Sequence, residues 1–230
     1  ASRLVAHLAE NHHLSVSLKQ VFEYPEPRQL AEAATYINAG FYNTITSSKE
    51  ADYYPLARAQ RRIFLQQAMR DTDVAYNMPM LLLFNISLSY ERAAQAFQTI
   101  VENYAVFRTG FFEVDGELRQ VVTPSIRFTL ERAFIDETQV DAELKSFVRP
   151  FQLSNPPLLR ARLLHFSSER STLLLDMHHI ISDGISIQVF LRLWMEAYRT
   201  GIIPSPKIQY HDYAVWENSD TSQVRIERQR

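Results

Sequence analysis

The chain has 230 residues, 46% of them hydrophobic and 22% charged, and a formal net charge of -2 at pH 7. This composition excludes a fibrous or disordered chain, and the near-neutral charge argues against nucleic acid as a partner. The longest apolar run, residues 80–84, is too short to cross a bilayer, so no membrane partner is expected. The absence of cysteine excludes disulfides and a cysteine nucleophile, and is compatible with a cytoplasmic location.

Residues 1–37 predict short helices separated by polar turns and by Pro25 and Pro27. Leu4 and Leu8 can share one face of the first of these helices. So little helix cannot bury a core by itself, which indicates part of a small domain. Residues 38–53 are polar and lack periodic apolar positions, which predicts a linker.

From residue 54 to residue 230 helical and strand periodicities alternate. The predicted helices cover 57–69, 90–107 with Ser89 as N-cap, and 186–198; the predicted strands cover 80–86, 110–114, 118–122, 159–164 and 172–177. Asp115-Gly116 between two apolar runs predicts a hairpin turn. We therefore expect an α/β fold, with a mixed sheet and flanking helices.

The segment with the most chemical information reads Met177-His178-His179-Ile180-Ile181-Ser182-Asp183-Gly184. It joins a predicted strand to a predicted helix, a common position for catalytic side chains on a rigid scaffold. Adjacent strand residues point to opposite faces, so one histidine can face a cleft while the other packs inward. Asp183 can turn back to brace the loop, and Gly184 can adopt a backbone angle that other residues resist.

Other chemistries find less support in the sequence. A lone histidine beside an apolar strand is more often structural than catalytic, but the combination His-His-x-x-x-Asp-Gly is expected by chance only about once per million positions. No metal site is expected, because there is neither a cysteine nor a His-Glu-x-x-His arrangement. A serine triad is disfavoured, because there is no Gly-x-Ser-x-Gly turn.

The segment MHHIISDG resembles the His-His-x-x-x-Asp-Gly signature of the condensation domains of nonribosomal peptide synthetases, which chloramphenicol acetyltransferase-like acyltransferases share. Further matching motifs, in order, are YPLARAQRRIFL at 54–65, FRTGF at 107–111 and YHDYAVW at 210–216. Two places depart from the family: Arg58 stands where serine is commoner, and Asn103-Tyr104-Ala105 replaces Arg-His-Glu. The resemblance implies the N-terminal lobe of a two-lobed fold, with the C-terminal lobe absent from this chain.

Residues 1–37 resemble the C-terminal part of a peptidyl carrier domain, with Phe22 and Pro25 in the habitual Phe-x-x-Pro places. That family carries 4'-phosphopantetheine on a serine in a Gly-Gly-x-Ser turn. By this alignment the turn would lie just before Ala1, and Ser2 is not in that context. No cofactor attachment is therefore expected within the chain.

The resemblance implies amide formation between an acyl or peptidyl thioester on an upstream donor carrier and the amine of an aminoacyl thioester on a downstream acceptor carrier. It also implies a downstream adenylation domain, a role in antibiotic biosynthesis, and an inactive fragment when this chain stands alone. His179 is the implied catalytic residue. It either removes the amine proton or orients the amine and stabilises charge, and the sequence leaves both roles open.

The resemblance assigns supporting roles to four further residues. His178 is buried support, and Asp183 is structural with Arg108 as its expected partner. Gly184 brings a backbone N–H near the acyl carbonyl.

Two alternatives share parts of the pattern. An epimerisation domain has the same histidine signature, but the Tyr76-Asn77-Met78-Pro79 stretch and the opening motif look more like condensation domains that accept an L-configured donor. A non-catalytic carrier-docking module would keep the fold without turnover. A module without turnover could lose its catalytic residues, and the presence of His179, Asp183 and Gly184 argues against this alternative.

Overall fold

A computed structural model describes residues 2–12, 14–36, 45–69, 74–166 and 169–219 of the chain. The chain divides into two compact units, Ala1–Thr44 and Ile45–Arg230. None of the helices in these described ranges is long and apolar enough to span a membrane.

The first unit contains short helices and a two-stranded antiparallel sheet. Its elements are α1 (Ser2–His12), β1 (Leu14–Ser15), α2 (Leu18–Glu23), α3 (Pro27–Ala33) and β2 (Thr35–Tyr36). A capping box begins α2: Ser17 Oγ accepts the Gln20 N–H at 3.1 Å, and Gln20 Oε1 accepts the Ser17 N–H at 2.8 Å. The last of the short helices predicted within residues 1–37 ends at Ala33, because Thr35 and Tyr36 pair with β1.

The second unit holds the remaining elements. They are β3 (Tyr54–Pro55), α4 (Arg58–Ala68), β4 (Asn77–Phe84), α5 (Tyr90–Asn103), β5 (Thr109–Val114), β6 (Glu117–Val122), β7 (Glu131–Phe134), α6 (Val140–Phe147), β8 (Leu159–His165), β9 (Ser171–His178), α7 (Gly184–Thr200) and α8 (Tyr210–Glu217). One sheet has the order β3-β6-β5 and the other β4-β9-β8-β7, with only the β7–β8 pair parallel among the described strands. The expected α/β fold with a mixed sheet and flanking helices is confirmed.

Local signals position several of these elements. Asp115 and Gly116 have φ angles of 52° and 76°, as a tight turn of the mirror-image type requires, and they join β5 to β6 as predicted. Ser89 Oγ accepts the Arg92 N–H at 3.2 Å and begins α5 as predicted. That helix ends at Asn103, short of the expected end near residue 107, because a 3-10 turn over Ala105–Arg108 replaces its last turn.

Residues 45–53, the described part of the predicted linker within the second unit, form no helix or strand and are mostly exposed. Ser48 nevertheless attaches them to α8, since Asp212 Oδ1 accepts both its N–H and its hydroxyl at 2.7 Å. The predicted linker residues 38–44 lie outside the described residues.

The strand β9 is buried along its whole length and separates two apolar layers. Leu173, Leu175 and Met177 pack in the larger core, to which α5 and α7 contribute. Leu174 packs with Phe147 of α6 on the opposite face. Because strand side chains alternate, residues 176 and 178 lie on the α6 side and Met177 on the α7 side.

Candidate active site

His178 ends β9 as a fully buried side chain, with 0% of its surface exposed. Its Nδ1 accepts the Ile180 N–H at 3.2 Å, so the proton of the neutral ring is on Nε2. Burial, then the neighbouring His179 and Arg160, lowers the pKa of His178 to about 4. This histidine is therefore uncharged at neutral pH, and it packs edge-on against the ring of Phe151 at a centroid distance of 5.9 Å.

His179 follows directly and is exposed, so the alternation places the two histidines on opposite sides of the strand end. Its backbone N–H donates to the Tyr76 carbonyl oxygen at 2.8 Å. Its Nδ1 lies 2.8 Å from the Ser182 carbonyl oxygen. Because a carbonyl oxygen only accepts, Nδ1 carries the proton in the neutral ring and Nε2 carries the lone pair.

A cleft of about 470 Å³ adjoins His179. Its walls come from α4, the 3-10 turn after α5, the first turns of α7, and residues 208–210. The lining is mainly apolar, as shown by Ile63, Val106, Ile185, Val189, Leu193 and Ile208. The arrangement presents one histidine, with a basic nitrogen, beside a space that accommodates an apolar group.

Asp183 is the N-cap of α7 and not a group directed at a cation. Its Oδ1 accepts the Ser186 N–H at 2.7 Å and the Ser186 hydroxyl at 2.6 Å. These hydrogen bonds from the Ser186 hydroxyl and backbone lower the pKa of Asp183, and it is ionised at neutral pH. The carboxylate thereby fixes the start of α7, directly after the loop that carries His179.

The expected Asp183–Arg108 pair was wrong: these two described residues form no ion pair. The half-buried guanidinium of Arg108 instead donates to backbone carbonyl oxygens. The acceptors are Val101 at 2.9 Å, Thr123 at 2.5 Å, Pro124 at 2.9 Å and Glu102 at 3.3 Å. Two of these carbonyls end α5, where a helix dipole favours a cation, so Arg108 ties α5 to the end of β6.

We expected Gly184 to adopt a backbone angle that other residues resist, and this prediction was also wrong. Gly184 is the first residue of α7 and is not among the positive-φ residues, and nothing lies within 4 Å of a Cβ built on it. Its N–H has no hydrogen-bond partner among the described residues. The glycine leaves this N–H accessible at the start of the helix without requiring an unusual backbone angle.

Sequence reasoning missed a polar group behind the histidines. Asp176 is fully buried in β9, and Asn77 and Arg160 from the neighbouring strands contact it. The signal was available: an aspartate interrupts the apolar run Leu173-Leu174-Leu175-Asp176-Met177. A buried acid in such a strand needs partners, although the sequence does not identify them.

Comparison with known families and proteins gives consistent matches. The family model described as "Condensation domain" matches residues 50–230. The chain is 32% identical over 229 residues to bacitracin synthase 3 of Bacillus licheniformis, covering 100% of this chain and 4% of that protein. It is 34% identical over 219 residues to tyrocidine synthase 2 of Brevibacillus parabrevis, covering 95% and 6% respectively. The chain therefore spans a small part of these relatives.

Solved structures match the fold of most of this chain. The X-domain from teicoplanin biosynthesis superposes with a TM-score of 0.69 at 23% identity, covering 81% of this chain and 42% of that one. The first condensation domain of the calcium-dependent antibiotic synthetase, in complex with substrate analogue 2a, gives a TM-score of 0.67 at 19% identity, covering 77% and 46%. At these identities the likeness establishes the fold, and this chain corresponds to less than half of either structure.

Proposed function

The chain belongs to the condensation-domain family of nonribosomal peptide synthetases, and we propose that it contributes the catalytic histidine for amide formation between two carrier-bound thioesters. The observation that carries this proposal is the contact between the His179 ring and the Ser182 carbonyl oxygen. Nδ1 lies 2.8 Å from the Ser182 carbonyl oxygen, so in the neutral ring Nδ1 donates to that oxygen and Nε2 is the basic nitrogen available for the reaction. The exposed ring lies beside the cleft, where the reacting groups would meet.

The proposed chemistry is proton transfer coupled to acyl transfer. The α-amine has an unperturbed pKa of about 8 and is partly protonated at neutral pH. The nitrogen of the α-amine attacks the thioester carbon and forms a C–N bond, and Nε2 of His179 takes a proton from that nitrogen. The C–S bond then breaks, and the proton passes to the departing thiolate. The free N–H of Gly184 is our candidate donor to the oxygen of the tetrahedral intermediate.

Several finer features belong to the same proposal. The Tyr76-Asn77-Met78-Pro79 stretch favours an L-configured donor. The apolar lining of the cleft suits a hydrocarbon part of one thioester substrate. Catalysis needs both carriers and the C-terminal lobe, so we expect the chain alone to be inactive. Holding both thioesters near His179 supplies much of the rate through proximity.

Residues 1–37 are proposed to be the C-terminal part of a carrier domain, residues 38–53 its linker, and residues 54–230 the N-terminal lobe. The carrier resemblance of residues 1–37 supports this assignment, and the family match over residues 50–230 supports the placement of the lobe. The proposal makes 4'-phosphopantetheine the arm that delivers each thioester, on serines outside this chain. An adenylation domain further along the synthetase would load the acceptor carrier.

A single-turnover assay with the intact synthetase tests the proposal. Both carriers are loaded with defined L-aminoacyl groups, and the thioester-bound product is released and analysed on a chiral column. Amide formation with retained configuration supports a condensation domain. An unjoined product with an inverted α-carbon identifies an epimerisation domain, and unchanged substrates identify a docking module.

A further inference from the structure

Asp176 carries a carboxylate into the fully buried strand β9, with 0% of its surface exposed. Asn77 Nδ2 donates to Asp176 Oδ2 at 2.7 Å, and Arg160 Nη1 lies 3.4 Å from the same oxygen. Arg160 stands directly opposite Asp176 on β8, and Asn77 begins the other neighbouring strand, β4. We call Asp176, Arg160 and Asn77 the buried clamp, after its fully buried acid; Arg160 and Asn77 themselves are partly buried.

The clamp connects the start of β4 to the loop before β8. Arg160 Nη1 donates to the Arg149 carbonyl oxygen at 2.6 Å, and Arg160 Nη2 donates to that of Pro150 at 2.7 Å. Asn77 Nδ2 also donates to the Arg149 carbonyl oxygen, at 2.9 Å. The guanidinium lies 3.6 Å from the ring centroid of Phe151, the residue that packs edge-on against His178.

Stability alone does not account for this arrangement. Leucines occupy the three positions before Asp176, and a well-packed apolar residue in place of a buried ion pair is often neutral or stabilising. A buried polar network fixes geometry, because each member accepts only a narrow range of positions. The question is which geometry this one fixes.

A single peptide bond separates the clamp residue Asn77 from Tyr76, which binds His179. Asn77 follows Tyr76, and the Tyr76 carbonyl oxygen accepts the His179 backbone N–H at 2.8 Å. Anchoring the Asn77 side chain therefore anchors the carbonyl that holds the histidine. His179 is then set by two carbonyls, that of Tyr76 at its backbone and that of Ser182 at its ring.

We propose that the buried clamp is a positioning device for His179: it fixes the Tyr76 carbonyl, and through it the direction in which the imidazole faces the cleft. This inference rests on the proposed function, because it assigns Asp176, Arg160 and Asn77 a purpose in the same reaction. None of the three is assigned contact with substrate. Misplacing a catalytic group by about 1 Å can lower a rate by about a hundredfold, so a rigid support behind His179 has a kinetic role.

The charges around the clamp agree with this role. Burial raises the pKa of Asp176 to about 6, although its hydrogen bond from Asn77 and the nearby charges of Arg160 and Arg149 act in the opposite direction. Burial, then Arg149, lowers the pKa of Arg160 to about 10, while Asp176 and Glu131 act to raise it. At neutral pH both partners are charged, and their attraction acts across the sheet behind His178.

The test uses the intact synthetase with Asp176→Asn and, separately, Asn77→Ala. Asp176→Asn keeps an acceptor for Asn77 but removes the charge opposite Arg160. Asn77→Ala leaves the ion pair intact and removes the side-chain hydrogen bonds that anchor the backbone next to Tyr76. The matched control is Arg162→Gln: Arg162 lies on the same strand and face, and pairs with Glu131 at 2.7 Å and Glu143 at 2.5 Å, away from Tyr76.

Two readouts are compared. Hydrogen–deuterium exchange of a peptide containing the His179 amide should be faster by about tenfold in both clamp variants and unchanged in Arg162→Gln. The single-turnover rate should fall by about tenfold to a hundredfold in the clamp variants, with the half-saturating carrier concentration unchanged. The proposal is overturned if the clamp variants match Arg162→Gln in both readouts at equal loss of melting temperature.

The exchange readout needs no catalysis. If the wild-type synthetase forms no amide, the proposed function fails, and the exchange result still decides whether the clamp holds the His179 amide. A slowed reaction with unchanged exchange of the His179 amide would also overturn the proposal, because the loss of rate would then not arise from the contact between Tyr76 and His179.

Discussion

Asp183 Oδ1 accepts both hydrogens that Ser186 offers, from its backbone N–H at 2.7 Å and its hydroxyl at 2.6 Å. This double contact caps α7 at the residue that directly follows Ser182, and the carbonyl oxygen of Ser182 lies against the ring of His179. The start of the helix and the orientation of the histidine therefore depend on the same short loop.

The first prediction concerns this cap. Asp183→Ala should lower the free energy of unfolding by about 1 kcal/mol, because the Ser186 N–H loses its acceptor, and Asp183→Asn should cost much less. Urea unfolding of the chain measures both. Ser89→Ala, at the corresponding position of α5, is the matched control and should cost a similar amount. Equal losses for Asp183→Asn and Asp183→Ala would mean that the charge has a partner other than the helix start.

The second prediction concerns Arg108. Arg108→Lys keeps the charge but cannot reach several carbonyl oxygens at once, so it should lower the free energy of unfolding by about 2 kcal/mol. Because Arg108 and Asp183 act on different helices, the double variant Arg108→Lys/Asp183→Ala should equal the sum of the single losses within about 0.5 kcal/mol. A coupling energy above about 1 kcal/mol between the two substitutions would show that Arg108 and Asp183 interact directly.

The third prediction is a pH dependence that His178 causes. Its folded pKa is about 4 against an ordinary value of 6.5, so between these pH values the unfolded chain binds a proton that the folded chain does not. The free energy of unfolding should therefore fall as pH is lowered from 6.5 towards 4, by at most about 1.4 kcal/mol per pH unit.

His178→Asn keeps an acceptor for the Ile180 N–H and removes this titration. Its unfolding free energy should vary less between pH 7 and pH 4.5 than that of the wild type, whatever the absolute loss. Asp176 titrates in both proteins and cancels in the comparison. Parallel pH curves for the two proteins would show that His178 is not buried in its neutral form.

The fourth prediction compares two glycines. Gly116 has a φ of 76°, so Gly116→Ala should lower the free energy of unfolding by about 1 kcal/mol. Gly184→Ala should leave stability unchanged or slightly raised, because the residue is helical and has open space around it. Chemical denaturation of the two variants measures the difference. A large loss for Gly184→Ala would require a backbone strain that the structure lacks.

Local signals predicted much of this fold. The Asp115-Gly116 turn, the Ser89 cap and the strand before His178 each depend on residues close in sequence, and each was predicted correctly. The strands β3 and β7 and the helices α6 and α8 were not predicted. Residues 131–134 form a short segment in which apolar and polar residues do not clearly alternate. Only their pairing with β8 makes them a strand.

The candidate site shows the same limit. The opposite faces of His178 and His179 follow from strand alternation, which is local. The partner of Arg108 is not local, because the carbonyl of Thr123 reaches it only when β5 and β6 pair. Asp176 was visible as an acid in an apolar run, but Asn77 and Arg160 reach it only through strand pairing.

The central claim is that Nε2 of His179 takes part in amide formation, and one measurement tests it most directly. In the intact synthetase, His179→Ala should lower the single-turnover rate of dipeptidyl thioester formation by about a hundredfold or more, with carrier loading unchanged. A rate within about threefold of the wild type, with both carriers loaded to the same extent, would contradict the account and remove His179 from the mechanism.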